Sequence, residues 1–524
     1  MGAGIETLPK QFFRRAETCE TIKRLAKERR LTLVVGAGAS AEVGLPLWGE
    51  LVERLLLRSL SPETPAHTLD YSPAVTEAAS RALKNGGALG AATMARAALG
   101  DSFNDELRVC LYEWPNQWQW NLPGSTARAV AKLYAVMTER GQTCEIATTN
   151  YDTTLELALE DLLGERVKSF CRDSEDPEGC PLVRHLHGVL TEEGLTEEVT
   201  LTEADYHAVE TGGLPWQESY LRRRFEDSSV VFIGASLTDQ HLLRYIFRYA
   251  KEKPRPVALL VEDLEGAGPT DQRHSPDAVD GLIGSLKQGR WDYVHLTALQ
   301  ADFRSQPAQF LHEVVHHKRS ESAVRYGIRL DSWFRAASKE RFGLATTESF
   351  DISQFLLHEI VEGWLESVID RLEDAGYELD EETLAVHLWC RSPEPLRTPS
   401  ENDRVELTSL AMMGCSDRTW NDPRAMDIRL ITQPSSRAAI DAFCWGMPQV
   451  QLPDGYPKWH WVLATPVVLE EHEEFGRLPV GAVTLVSDRD MRESVLGRIR
   501  ADDPELLGEI ERFLATAAER ALAL

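Results

Sequence analysis

The residues best equipped for chemistry stand at four points along the chain, each at the end of an apolar run. Leu31 to Val35 leads into Gly36-Ala37-Gly38-Ala39-Ser40-Ala41, with Gly44, Leu45 and Pro46 close behind. Gly36, Gly38 and Ala41 satisfy the spacing G-x-G-x-x-G/A directly after a strand. That spacing permits a tight turn, brings backbone amides against a pyrophosphate and lets the next helix pack closely. Later runs end in Thr148-Thr149-Asn150-Tyr151-Asp152, in Leu186-His187-Gly188 and in Gly234-Ala235-Ser236-Leu237. An imidazole, ordinarily titrating near pH ~6.5, can take a proton from a hydroxyl or a water at neutrality. The amide of Asn150 is no base, so its use would be to hold hydroxyls or water in attack geometry. Asp152 has two open readings, orienting a ligand hydroxyl or capping a helix that begins after it. Taken singly, His187 reads as a core histidine and the glycine spacing as a turn without a ligand.

The elements needed to bring these points together are legible as alternating strands and helices. Strand-like runs fall at Leu31–Val35, Glu145–Thr148, Val183–Leu186, Val230–Ile233, Val257–Val261 and Tyr293–Leu296, several separated by helical segments. The fold class expected is α/β, a doubly wound parallel Rossmann-like sheet, in which ligands bind beyond the carboxyl ends of the strands. Residues far apart in sequence would then share one cleft. Phe12 to Arg30 and Trp48 to Leu60 read as helices, and the Ala- and Leu-rich stretch over about 49–138 as a helical insertion. This first domain spans 12–317. A charged, irregular stretch, 318–347, reads as a linker. Residues 348–524 then run helix (Phe355 to Gly376), strands (Leu384–Cys390, Val405–Met412), short helix (Arg437–Phe443), strands (Trp459–Leu469, Val480–Val486) and terminal helix (Pro504 to Leu524). That is an α+β domain.

The four blocks together resemble the sirtuin family. Gly36 to Ser40 with Gly44-Leu45-Pro46 is similar to its G-A-G-x-S…G-[IL]-P signature, Thr148 to Asp152 to T-x-N-x-D, Leu186-His187-Gly188 to the catalytic L-H-G, and Gly234 to Leu237 to the G-x-S-L loop. The resemblance is nearer to the bacterial sirtuin-like branch used in antiphage defence than to protein deacetylases. Leu45-Pro46-Leu47-Trp48 replaces the deacetylase G-I-P-D-F-R, Thr202-Glu203-Ala204-Asp205-Tyr206 is typical of the bacterial branch, and no paired C-x-x-C zinc ribbon is present. It implies an NAD+ glycohydrolase releasing nicotinamide and ADP-ribose, with NAD as substrate and no metal. Asn150 and His187 would be catalytic. Gly36, Ala37, Gly38, Ala39, Ser40, Gly44, Pro46, Thr149, Asp152, Gly234, Ser236 and Leu237 would bind NAD. Two rival functions stand beside it: protein deacylation or ADP-ribosyl transfer, and NAD or ADP-ribose sensing without turnover. The C-terminal segment resembles a GAF-type sensory fold in its element order and in Trp459 to Pro466 followed by Val480 to Leu485. That implies an off state released by a small-molecule or protein trigger, and a homo-oligomer.

Bulk properties narrow the remaining classes. The chain of 524 residues carries a net charge of −27, and its part from Ala345 onward holds 34 acidic against 16 basic residues. Such a surface repels phosphate backbones, so nucleic acid is disfavoured as a partner. No apolar run reaches the ~18 residues of a membrane helix and no signal pattern opens the chain. With Glu6 where Ser or Thr would be needed, Gly2 fits no myristoylation motif. The expectation is a cytoplasmic protein away from membranes, with eight scattered, reduced cysteines. His312-Glu313-Val314-Val315-His316 matches H-E-x-x-H without a clear third ligand, and is read as a chance match. Glu470 to Glu474 reads as a solvated hairpin tip.

Overall fold

The computed structural model describes residues 12–62, 64, 71–114, 124–171, 181–195, 199–211, 215–251, 254–261, 289–320, 322–379, 381–392, 409–431, 437–452, 458–472 and 476–523. Its first half is built on a parallel sheet. The strands are β1 (Arg30–Val35), β2 (Thr143–Thr148), β3 (Lys168–Phe170), β4 (Leu182–His185), β7 (Ser229–Ile233), β8 (Val257–Val261) and β9 (Thr297–Ala301), in the order β3-β4-β2-β1-β7-β8-β9. A small hairpin, β5 (Leu190–Thr191) with β6 (Gly194–Leu195), stands apart. Both sheet faces are covered, so β1 is buried from Leu31 to Val35 and reads as an unbroken apolar run. Alternate residues still point to opposite faces. Leu33, Val35, Ile146, Val231 and Ile233 meet helices α1 (Ala16–Lys27), α5 (Ser125–Glu139), α6 (Thr154–Leu163) and α10 (Gln306–Arg319). Val34, Ala147, Phe232 and Ala258 meet α8 (Trp216–Asp227) and α9 (Gln240–Tyr249).

Helices α2 (Trp48–Leu60), α3 (Pro73–Leu99) and α4 (Phe103–Tyr112) form an apolar cluster of their own, touched by α7 (Glu203–Thr211) through contacts with α3. Gly87, at φ 64° and ψ 172°, breaks the helical path inside α3. The helical insertion is thus shorter than expected. Helix α5, which the sequence pattern assigns to it, buries Val130, Leu133, Val136 and Met137 in the main core. The last strand is displaced as well. Tyr293 is 80% exposed and His295 has φ 56°, so the apolar run there is a turn, and β9 begins at Thr297.

The expected linker contains helix α11 (Tyr326–Glu340). Arg335, Lys339 and Glu340 face water, while Arg329 is buried against Glu313 and Trp333, fully buried, donates from Nε1 to Leu522 O at 3.2 Å. The C-terminal half is an antiparallel sheet of β10 (Leu384–Ser392), β11 (Ser409–Cys415), β12 (Ile428–Leu430), β13 (Gln449–Gln451), β14 (Trp461–His472) and β15 (Gly476–Ser487). Its order is β12-β11-β10-β15-β14-β13. Helices α12 (Thr347–Asp374) and α15 (Pro504–Leu522) cover one face and α13 (Ala438–Trp445) the other; α14 (Val495–Asp502) precedes α15. Helix α12 starts earlier than its apolar pattern shows, at a capping box of Thr346 and Ser349. The expected strand over Val405–Met412 lies partly outside the described residues, as do Cys180 and part of the Glu470 to Glu474 run between β14 and β15. One continuous apolar cluster joins the two halves, running from the parallel sheet through α10 and α11 into β10, β14 and β15.

Candidate functional site

A cavity of about 840 Å³ opens beyond the carboxyl ends of β1, β2, β4, β7 and β8, a size suited to a small-molecule ligand. Two loops form one wall. Gly36 N donates to Ile233 O at 2.8 Å and Gly38 N to Gly234 O at 2.9 Å, tying the loop after β1 to the loop after β7. A Cβ on Gly36 would stand 2.7 Å from Ala235 Cα, one on Gly38 2.8 Å from Gly234 O, and one on Gly234 2.7 Å from Ala39 N. The glycines therefore serve loop-to-loop contact first. This differs from the sequence expectation, since two of the amides meant for a pyrophosphate are already used. The chain after Gly38 also forms only a short 3₁₀ turn, Ala41–Val43, which Gly44 ends at φ 86°. Helix α2 starts later and puts Trp48 at the cavity.

Asn150 stands on the loop after β2, and its amide is oriented by a chain of hydrogen bonds. Thr154 Oγ1 donates to Asp152 Oδ1 at 2.5 Å, and Ser40 Oγ donates to the same oxygen at 3.0 Å. With its proton spent, Ser40 Oγ can only accept from Asn150, whose Nδ2 lies 2.8 Å away. The side-chain carbonyl oxygen of Asn150 is left buried without a partner, on a residue that lines the cavity. Asp152 also accepts from Thr154 N at 3.1 Å, at the first residue of α6, whose N-cap is Thr153. Burial pushes its carboxyl above the ordinary range although those hydrogen bonds pull the other way. Beneath the loop, His185 places Nδ1 2.9 Å from Asn150 O and Nε2 2.7 Å from Glu156 Oε1. Both partners accept, so both ring nitrogens donate. Burial pulls the His185 pKa down, but Glu156, the Asn150 carbonyl and Asp152 together raise it above the ordinary value.

His187 follows β4 and faces Asp239, with Nε2 3.1 Å from Oδ2, near enough for an ion pair but out of line for a linear hydrogen bond. Asp239 also receives Tyr206 Oη at 2.6 Å and Leu242 N at 2.6 Å, the cap of α9. Burial disfavours the Asp239 carboxylate, yet His187 and these donors hold its carboxyl well below the usual range. On the far side Glu42 caps α5, accepting from Ser125 Oγ, Thr126 N and Thr126 Oγ1. Burial pushes the Glu42 carboxyl up to about 7.

Of the residues singled out in the sequence, Gly36, Ala37, Gly38, Ala39, Pro46, Thr149, Asn150, Asp152, His187, Gly234, Ser236 and Leu237 all line this cavity. Ser40 lies just behind the lining, bonded to Asn150, and Gly44 ends the 3₁₀ turn. Asp239, Tyr206, Glu42 and Arg304 line it too, outside the sequence-derived set, and His185 supports it from below. Two of these carry a signal in the sequence, for Tyr206 closes the Thr202 to Tyr206 motif and Asp239 stands three residues after Ser236. The H-E-x-x-H segment is elsewhere, in α10. Arg329 Nη2 reaches both oxygens of Glu313, and Gln309 Nε2 donates to Oε1 at 3.0 Å, so the carboxylate a zincin would use as base is engaged.

Residues 144–278, which include Asn150, His187, Gly234 and Asp239, match the family profile described as SIR2-like domain. Two solved structures are similar to this chain. "Crystal structure of a Sir2 homolog-NAD complex" is 15% identical, covering 60% of this chain and 98% of its own, with a TM-score of 0.27. "Structural basis for the mechanism and regulation of Sir2 enzymes" is 14% identical, covering 58% and 98%, with a TM-score of 0.27. No curated protein matches. Among the described residues, no helix is long and apolar enough to cross a membrane.

Proposed function

We propose that the SIR2-like domain hydrolyses NAD+ at its nicotinamide–ribose bond, giving nicotinamide, ADP-ribose and a proton. The observation that carries this reading is the orphaned side-chain carbonyl of Asn150, fixed through Ser40 in the cavity that His187 also lines. A buried acceptor without a partner calls for a donor from a ligand, and the ribose hydroxyls of NAD+ are donors of the right kind. As nicotinamide leaves, positive charge grows at the ribose C1′, and an incoming water must lose a proton. His187 offers a ring nitrogen to take that proton, and Asp239, 3.1 Å from Nε2, stabilises the ring once it is charged. Asn150 positions and His187 takes the proton. The test is to incubate the purified protein with NAD+ and separate the products. Nicotinamide with ADP-ribose, formed without any acyl-lysine or protein acceptor, supports hydrolysis. Products appearing only with such an acceptor refute it.

The C-terminal sheet suits a GAF-like sensory role, and depletion of host NAD+ suits an antiphage effector that stays off until triggered. Contact between the halves supports such control, since Ser305 N donates to Cys444 O at 2.7 Å beside the cavity residues Arg304 and Pro307. Self-association is part of this reading. Helix α12 exposes Ile352, Phe355, Leu356 and Ile360 at helical spacing, an apolar face that another subunit could cover. Light scattering on the wild type and on Phe355→Glu checks it; a monomer in both discards the oligomer.

A further inference from the structure

A second convergence of donor groups lies in the C-terminal sheet, far from the NAD site in sequence and independent of its chemistry. His387 on β10 and Cys415 at the end of β11 are cross-strand partners, so their side chains leave the same face of the sheet. That is the face α13 covers, because Cys415 packs in one cluster with Ile440 and Phe443. Asp417 follows two residues beyond the strand. One donor atom from each of the three lies within 4.8 Å of the other two. His387 Nε2 is buried, 3.7 Å from Asp417 Oδ1, and has no hydrogen-bond partner. Cys415 Sγ donates to Asp417 Oδ1, and the second Asp417 oxygen accepts from Lys458 Nζ at 2.6 Å. A buried ring nitrogen without a partner is costly, and in native proteins such a group commonly faces an ion or water.

We propose that His387, Cys415 and Asp417 bind a divalent ion of the zinc class. One imidazole nitrogen, one thiolate sulfur and one carboxylate oxygen make a mixed set that a borderline-soft ion accepts. Calcium and magnesium take oxygen donors instead. On binding, the Cys415 S–H bond breaks, the sulfur's electron pair forms the bond to the metal, and the proton passes to solvent. The Lys458 contact then does what outer hydrogen bonds do for ligating carboxylates, holding the free oxygen so that the other points at the ion. Three protein donors leave a fourth position for water. His387 also lines a cavity of about 90 Å³ with Trp389, Trp459 and Arg418, which puts the ion at its edge. The metal-like pattern weighed in the sequence, H-E-x-x-H, lies in α10 and not here. Here the donors come from two strands and the turn after the second, and only the strand pairing brings them together.

The test uses the full-length protein, stripped with a chelator and titrated with Co2+ as a spectroscopic stand-in for Zn2+. One equivalent should bind with a thiolate-to-cobalt charge-transfer band, and Zn2+ should displace it. Cys415→Ser should abolish the band. Asp417→Asn, at an exposed position, should weaken Co2+ binding tenfold or more. Zn2+ should raise the melting temperature of the wild type and not of Asp417→Asn, which keeps the test decisive if the buried Cys415 substitution misfolds. The proposal is overturned if no thiolate band appears. It is equally overturned if the band survives in a folded Cys415→Ser protein, or if Asp417→Asn binds and responds like the wild type.

Discussion

The guanidinium of Arg304 lies over the ring of Trp445, 4.2 Å from its centroid. Arg304 lines the cavity beyond the parallel sheet, and Trp445 ends the helix that covers the C-terminal sheet. Cation–π contacts are worth about 0.5–2 kcal/mol from exposed to desolvated settings. Trp445→Ala should therefore shift the KM for NAD+ several-fold while the far-ultraviolet spectrum stays that of a folded protein. Steady-state kinetics measures it, and unchanged kinetics would remove this contact as a route between the halves.

Ser40 acts on the amide of Asn150 without lining the cavity, so its loss should be milder than loss of the amide itself. Ser40→Ala gives up one net hydrogen bond of about 1 kcal/mol, roughly a 5- to 10-fold drop in kcat. Asn150→Ala and His187→Ala should each lose roughly 10²-fold or more. If Ser40→Ala fell as far as Asn150→Ala with its melting temperature preserved, Ser40 would have to touch the substrate directly.

Glu42 should impose a pH dependence on stability. Its carboxyl rises from an ordinary 4.5 to about 7 in the fold. A raised carboxyl favours the folded state while protonated, so its contribution is complete below about pH 4.5 and is lost as pH climbs through about 7. Relative to Glu42→Gln, the wild type should therefore lose melting temperature across that window. Parallel curves for the two proteins would place the Glu42 titration elsewhere.

The Arg329–Glu313 pair has both side chains only 2% exposed. Removing one partner strands a buried charge and costs roughly 3–5 kcal/mol. Arg329→Ala should unfold at markedly lower denaturant, whereas His316→Ala should leave NAD+ turnover near wild type. Turnover that depended on His316 would return H-E-x-x-H to the chemistry.

Asn150 and His187 are legible in the sequence because each is a chemically distinctive residue ending an apolar run, and the order of the runs implies a shared cleft. Their partners are not. Asp239 comes 52 residues after His187, Ser40 lies 110 before Asn150, and His185 reads as part of a strand. No local pattern announces a contact across such intervals. The misplaced last strand has a different cause, for Tyr293 to Leu296 has strand composition but the mixed Thr297 to Ala301 has the parallel partner in β8. Helix α11 is hidden by its charges, since a stripe as narrow as Tyr326, Leu330, Trp333 and Ala337 suffices to bury one side.

The contact between Gly36, Gly38 and Gly234 decides how the cleft can breathe. With amide-to-carbonyl bonds linking the two loops and no space for even a methyl group between them, they behave as one fixed jaw. Any freedom of the cavity to open then lies with the opposite wall, where α2 brings Trp48 to the rim and packs in a cluster apart from the sheet.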